Sequence, residues 1–412
     1  MTDTNISELS NTKAIVFSAF EQMEEKLDVR IPRFFFEVLI LFLSLNGKLN
    51  FLKLSRFSSR CEQSFRYLFE KRFDFLSFNI SLLKMHMKER TAIAFDPSFI
   101  SKSGKKTPGV GYFWSGCAGK AKWGLEFCGL AALDLSRQTA FHLFGFQTID
   151  LKSNETLIGF YLRKLLEHKA QLLSISNYIV ADAYFSKVTF VNPLLLEGFQ
   201  VVSRLRDDAD LQYIFNGIQK AGKGRNRKYD GKINFNKLKS KYLNLVLETE
   251  LEKIYSIEAY SKSLKRTLNI VLIFTKNKNQ KWSHKIYFST DLNQDWTEIM
   301  EMYRQRFQIE FLYRDAKQFT GLNSCEARST NKLHFHWNMS LTSINIAKIA
   351  FWIPRKDKNP LENPPFSMAN IKTLFNNNLL ISRFISMLGI NPKLDKNKTI
   401  IKQLLEWGKI AS

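Results

Sequence analysis

The chain has 412 residues, 45% of them hydrophobic, which is enough for a real core and for two or three domains of the usual ~100 to 200 residues. Lysine and arginine total 61 against 38 aspartate and glutamate, and the net charge of +23 makes a polyanion, nucleic acid above all, the leading partner. Cys61, Cys117, Cys128 and Cys325 fall at no metal-ligand spacing and form no disulfide framework, the first dozen residues are polar, and the strongest apolar run, Phe34 to Leu45, is far shorter than the ~20 residues a bilayer span needs. These features exclude a disulfide-stapled or membrane-spanning class and lead us to expect a cytoplasmic protein.

From Asn11 to about Arg90, apolar residues recur at three and four spacing, which predicts helices. Within this region Ser44 to Lys71 reads as a helix, an Asn-Gly break, a short helix, a serine cap and a further helix. That order resembles a helix-turn-helix, with Arg60, Gln63, Arg66 and Lys71 decorating the last helix and Phe65, Leu68 and Phe69 facing the core. Three-helix packing without any DNA contact accounts for the pattern equally well.

At Thr91 the texture changes. "TAIAFDPSFI" predicts a short buried strand that stops at Asp96-Pro97, and "KWGLEFCGLAALDL" and "QTAFHLFGFQ" predict two more strands joined by a turn at Ser136-Arg137. A helix is expected from Glu155 to Leu173, then a strand in "YIVADAYFS" ending at Asp182, a helix around Lys187 to Glu197, and the strand "FQVVSRLR". The order β-β-β-α-β-α-β places an aspartate at the C-terminal edge of the first and fourth strands. Between Asp208 and Asp295 lies a β-rich insertion, with strands in "TLNIVLIFTK" and "HKIYFST" and a basic loop, "KAGKGRNRKYDGK". Asp295 and Glu298 form a capping box for the next helix, Ile353 to Pro365 is a linker, and a helical tail runs to Ser412.

The helix after the capping box contains "EMYRQRFQIEFLYRDAKQ". At about 100° per residue, Tyr303, Arg306, Glu310 and Lys317 fall within one sector of about 60°, while Phe307, Ile309, Phe311 and Leu312 cover much of the remaining circumference. A polar stripe so placed suits a crevice or a ligand; an ordinary surface helix with an Arg306 to Glu310 pair is the plainer alternative. Asp96, Asp182 and Glu310 together are the pieces of an oxygen-ligand metal site, since magnesium prefers carboxylates and tolerates phosphate as a further ligand. Taken singly, Asp96 reads as a turn residue, Asp182 as a helix cap and Glu310 as the partner of Arg306. Asp134, Asp207, Asp208 and Asp210 sit in turn-like polar clusters and are read as structural. His334 and His336 lack a zinc-ligand spacing and are read as packed or phosphate-contacting.

The spacing Y-x2-R-x3-E-x6-K, met by Tyr303, Arg306, Glu310 and Lys317, resembles the signature of DDE transposases of bacterial insertion sequences in the family numbered four. "YIVADAYFSK" and "AIAFDPSFISKSGKKTPG" look like the segments that carry that family's second and first catalytic aspartates, and "SRLRDDADL" and "KLHFHWN" are similar to members from Bacteroidota. The resemblance implies an α/β, ribonuclease-H-like catalytic core interrupted by a β-rich insertion, with helical N- and C-terminal regions. The corresponding divisions are 1–90 helical, 91–210 first core part, 211–294 insertion, 295–352 second core part and 353–412 linker with helical tail.

It further implies Asp96, Asp182 and Glu310 as catalytic metal ligands for Mg²⁺, two ions with Mn²⁺ able to substitute, and Tyr303, Arg306 and Lys317 as contacts to transposon-end phosphates. Arg204 and the basic-loop residues Lys223, Arg225, Arg227 and Lys228 are further candidate DNA contacts. In relatives a tryptophan of the insertion stacks on a flipped base; Trp282 and Tyr287 are the candidates here, although a sheet-buried aromatic is the plainer reading of both. The expected partners are double-stranded DNA, as transposon ends and target, and a second copy in a homodimeric synaptic complex, with the tail from Phe366 as interface. No membrane or small-molecule substrate is expected, and the location is bacterial cytoplasm at the nucleoid. The expected reaction is cut-and-paste strand cleavage and transfer at terminal inverted repeats; a repressor that binds the repeats without cutting, and a nuclease that cannot join ends, are the competing classes.

Overall fold

The computed structural model describes residues 7–87, 90–219, 222, 225–352, 365–392 and 394–410. The chain begins with the helices α1 (Ser7–Glu21), α2 (Arg30–Ser44), α3 (Phe51–Arg56), α4 (Glu62–Leu68) and α5 (Phe75–Lys84). Asn46-Gly47 breaks the chain after α2 as expected, with Gly47 at φ +74°. The expected serine cap is absent: Cys61 precedes α4 and makes no side-chain cap bond. Arg60 instead pairs with Glu37 of α2, and Phe34, Phe69 and Phe75 pack on Phe335 of a later helix, so these helices are fastened to the rest of the molecule by aromatic contacts.

The core strands follow in chain order: β1 (Thr91–Ser101), β2 (Gly111–Ser115), β3 (Lys120–Asp134) and β4 (Thr139–Gln147), then α6 (Leu157–Leu166), α7 (Lys169–Leu173), β5 (Tyr178–Val180), α8 (Val188–Leu196) and β6 (Gln200–Leu205). β1 does not stop at Asp96-Pro97 as expected but pairs with β3 as far as Ser101. β5 leaves the other side of β1 after Ala94, so Pro97 lies on a strand with a free edge, where a missing N–H is tolerated. The expected helix from Glu155 to Leu173 is two helices, and β2 was not foreseen. β4, β3 and β1 pair antiparallel, and β1, β5 and β6 run parallel. This is the mixed α/β order expected for a ribonuclease-H-like core, with helical regions at both ends of the chain.

Strands β7 (Leu211–Ile214), β8 (Tyr229–Lys232), β9 (Asn244–Glu248), β10 (Glu252–Ser261), β11 (Arg266–Lys276) and β12 (Trp282–Ser289) continue the same sheet, because β12 pairs antiparallel with β6. The strand-rich segment is therefore hydrogen-bonded to the core. The remaining helices are α9 (Trp296–Gln305), α10 (Gln308–Phe319), α11 (Thr330–Trp352), α12 (Met368–Leu388) and α13 (Asp395–Glu406). α11 packs on β4 and is buried almost all round. Two of its asparagines bond that strand: Asn338 accepts from the Gly145 N–H at 2.8 Å and donates to the Gly145 carbonyl and to the His334 carbonyl of its own helix, and Asn345 exchanges bonds with the His142 backbone.

Candidate active site

Side chains alternate along β1, so Phe95 and Asp96 face opposite ways. Phe95 packs on Phe146, Tyr161 and Phe185 in the core, which turns Asp96 to the side from which α10 approaches. Ala94 of β1 and Val180 of β5 form the last paired rung of the two parallel strands. Asp96 and Asp182 each lie two residues beyond it, close enough for the two carboxyls to interact electrostatically. Asp182 also caps a short turn, its Oδ1 accepting the Tyr184 N–H at 2.9 Å, and its carbonyl accepts the Ser203 hydroxyl of β6. The capping alternative is thus realised without removing Asp182 from the crevice.

The single long helix expected around Arg306 is broken. α9 ends at Gln305 and α10 begins at Gln308, and the junction is tightened by backbone bonds of the i to i−3 type from Arg306, Phe307, Ile309 and Glu310. No helix-breaking residue occurs there. The cause is tertiary: α9 packs on β6, β11 and β12, whereas α10 packs on β1 and β4. The capping box is also incomplete, since Asp295 accepts from Thr297 at 2.8 Å rather than from Glu298.

The four side chains of the polar stripe nevertheless gather. Arg306 reaches both Glu310, at 2.9 Å, and Asp96, at 3.7 Å. Lys317 donates to Ser98 Oγ at 2.9 Å and interacts with the Asp96 charge. The Tyr303 hydroxyl lies within electrostatic reach of Arg306, Arg204 and Asp182, and its ring packs on Tyr287 at 4.8 Å. Burial pushes the Asp96 carboxyl up to about 7, with Glu310 and Asp182 adding to the shift and Arg306 opposing it. Burial works against the charge on Arg306, but Asp96 and Glu310 outweigh it and hold the guanidinium above its ordinary value. Burial lowers Lys317, against the opposing pull of Cys117 and Asp96.

Sequence reasoning missed Tyr313. Its hydroxyl donates to the Asp96 carbonyl at 2.5 Å and lies against Gly129, the residue opposite Asp96 on β3. A Cβ at Gly129 would stand 2.3 Å from that hydroxyl, so only glycine leaves room for the contact that docks α10 on β1. Nothing in a single sequence links positions 129 and 313. Phe307, expected to pack, is 48% exposed.

The other candidates are dispersed. Arg204 on β6 pairs with Asp207 at 2.9 Å, beside Tyr287 and Tyr303, and its buried Nε has no hydrogen-bond partner. Arg225, Arg227 and Lys228 are exposed, with Arg227 paired to Asp230 and stacked on Phe215, and Lys223 lies outside the described residues. Trp282 corrects the expectation of a sheet-buried ring: it begins β12, is 43% exposed and has Lys253 and Lys276 near its face, while Tyr287 is the buried one. Asp134 pairs with Arg137, Asp207 and Asp208 pair with Arg204 and Arg206, and Asp210 pairs with Lys262, as structural residues do. His336 is packed, with its Nε2 2.8 Å from the Gly321 carbonyl oxygen.

Residues 161–346 match the family model of the transposase DDE domain. That span is similar to transposase DDE domains. The match supports an enzyme of the DDE nuclease and transesterase class, and the matched span includes Asp182, Tyr303, Arg306, Glu310 and Lys317. Asp96 lies upstream of it and comes to the crevice through β1 alone. Among solved structures the chain is similar to the piggyBac transposase synaptic complex with hairpin DNA, at 12% identity over 99% of this chain and 84% of that one, with a TM-score of 0.41. A search of curated protein sequences returns no match.

Enzymes of this class use divalent metal ions. The donor set here fits a hard cation in kind, being three carboxylates with oxygen donors only. Among the described residues, no three acidic, histidine or cysteine side chains converge closely enough to hold an ion as they stand. The Arg306 guanidinium reaches Asp96 and Glu310 in this arrangement and supplies the positive charge there.

Proposed function

We propose that this enzyme cleaves and transfers DNA strands at the terminal inverted repeats of an insertion sequence by a cut-and-paste route, as a member of the family numbered four and of Bacteroidota type. Asp96, Asp182 and Glu310 are its metal-binding carboxylates. The observation that carries this reading is the placement of two aspartates, each two residues past the last paired rung of the adjacent parallel strands β1 and β5, with Glu310 tied to Asp96 through Arg306.

Magnesium ions, two of them and replaceable by manganese, would supply activation of water or a 3′ hydroxyl and neutralisation of phosphate charge. The chain's own residues do the rest. Tyr303, Arg306 and Lys317 line one side of the crevice and offer a hydroxyl, a planar fork and a point charge to phosphates. Arg204 brings a buried Nε donor with no hydrogen-bond partner among the described residues, which suits a group that waits for a ligand. Tyr313 holds the Asp96 backbone against α10, so that the two carboxylate-bearing elements cannot slide apart. Arg225, Arg227, Lys228 and Lys223 of the basic loop contact the flanking DNA backbone, and Trp282, half-exposed between two lysines, is placed to stack on a base.

A homodimer is proposed through the C-terminal helices, where Phe384, Met387 and Trp407 expose apolar surface of 59%, 83% and 76%. No helix among the described residues is long and apolar enough to cross a membrane; the proposed location is the cytoplasm, at the nucleoid.

The deciding experiment is cleavage of labelled DNA bearing the element's own ends, with Mg²⁺, by the wild type, Asp182→Asn and Glu310→Gln. Metal-dependent nicking that both substitutions abolish, with end binding retained, supports the reading. Tight binding without cleavage by the wild type under any divalent ion would instead identify a repressor.

A further inference from the structure

The β2–β3 hairpin carries an aromatic face, next to a basic loop, that the chemistry at the carboxylates leaves unused. Tyr112 lies opposite Trp123, and Trp114 opposite Ala121, so the three rings share one face. They are 73%, 37% and 66% exposed for Tyr112, Trp123 and Trp114. The Tyr112 and Trp123 rings meet edge to face at 5.3 Å, and Trp123 Nε1 donates to the Gly104 carbonyl at 3.0 Å, which fixes the platform to the preceding loop. From Pro97 to Leu125 the sequence holds five lysines and no acidic residue. Lys102 is engaged with the Cys325 and Ala327 carbonyls, whereas Lys105, Lys106, Lys120 and Lys122 are exposed.

This face stands beside the reacting groups. β1 and β3 pair continuously from Asp96 and Gly129 to Ser101 and Gly124, where the pairing with β2 begins, five rungs or about 17 Å along the strands. The turn of the hairpin comes back towards the crevice, since Cys117 interacts electrostatically with Lys317, the same lysine that bonds Ser98 and faces Asp96.

Paired duplex DNA hides the faces of its bases, so phosphate binding alone would need the lysines and not three solvent-exposed rings. Unpaired bases offer π faces that stack on aromatic side chains while the backbone follows a basic groove. We propose that this hairpin face binds unpaired nucleotides of the DNA strand whose phosphodiester lies at Asp96, Asp182 and Glu310. Tyr112, Trp114 and Trp123 stack on the bases, and Lys105 and Lys106, next to the Gly104 carbonyl that Trp123 bonds, hold the phosphates. The inference rests on the strand-transfer reading above.

The test is fluorescence anisotropy without divalent metal, comparing a labelled blunt duplex with the same duplex bearing a single-stranded oligothymidine extension. The expected result is tighter binding of the extended DNA by about tenfold or more, a preference that Trp114→Ala removes and Trp114→Phe largely keeps, with blunt-duplex affinity unchanged in both. Equal loss on both DNAs, or no loss, in Trp114→Ala overturns the proposal. So does a dimer that Trp114→Ala converts to monomer in sedimentation while the preference persists, which would make the face a contact between copies. Failure of the wild type to bind either DNA overturns both the proposal and the reading beneath it.

Discussion

Gly129→Ala removes no functional group, yet it is expected to disable the enzyme. The added Cβ would lie 2.3 Å from the Tyr313 hydroxyl oxygen and 3.1 and 3.2 Å from the Cζ and Cε1 atoms of the ring. Ordinary contacts begin near 3.5 Å, so the hydroxyl end must retreat by about 1 Å. Tyr313 is 5% exposed on the buried side of α10 and has little room to do so. Overpacking of this kind costs roughly 1 to 3 kcal/mol, and loss of the bond to the Asp96 carbonyl adds about 1 kcal/mol. The larger effect is on chemistry, because a shift of about 1 Å between Asp96 and Glu310 can lower the rate by roughly a hundredfold. Tyr313→Phe removes only the hydrogen bond. In the double variant the nearest ring carbons stand at 3.1 and 3.2 Å and need give by only a few tenths, so the two changes together should cost less than the sum of each alone. Metal-dependent end cleavage and thermal unfolding of the four proteins complete the cycle. Wild-type cleavage and unfolding midpoint in Gly129→Ala, or strict additivity in the double variant, would refute the idea that this contact sets the site.

Three further outcomes are expected. The Asp96 carboxyl has a folded pKa of about 7 against an ordinary 3.8, so it favours folding only while protonated, and the metal-free protein loses stability as pH rises from about 4 through 7. Asp96→Asn should therefore abolish cleavage yet raise the free energy of unfolding at pH 8, by up to about 4 kcal/mol, with the gain vanishing near pH 4; a substitution that is neutral or destabilising at pH 8 would contradict the burial cost. Arg306→Ala removes the cation that reaches Asp96 and Glu310, and calorimetry should show Mn²⁺ binding roughly tenfold tighter while DNA cleavage falls; weaker Mn²⁺ binding would show that Arg306 does not compete with the ion. Asn338→Ala strands the Gly145 N–H and carbonyl between α11 and β4, and should lower stability by about 3 kcal/mol, whereas an unchanged denaturation midpoint would mean that water replaces the amide.

Much of the site was legible in the sequence because its parts obey local rules. Strand alternation and the aspartates at 96 and 182 could be read residue by residue, and the spacing of Tyr303, Arg306, Glu310 and Lys317 gathers these side chains even across a broken helix, since two helical segments joined by a tightened turn still advance by nearly the same angle per residue. The hydrophobic pattern likewise showed a mixed core between helical ends, although it missed β2 and merged α6 and α7 into one helix.

What the sequence could not decide was set by partners distant along the chain. The break at Arg306 depends on α9 and α10 packing against different strands. The length of β1 depends on β3 staying paired after β5 has left. The exposure of Trp282 depends on where β12 begins at the rim of the sheet, and the seat of Tyr313 depends on a glycine 184 positions away, on the strand that pairs with Asp96. Local propensities act over a few residues and determine which elements form; the register between strands and the docking of helices are fixed by burial and close contact, which only the folded chain brings about.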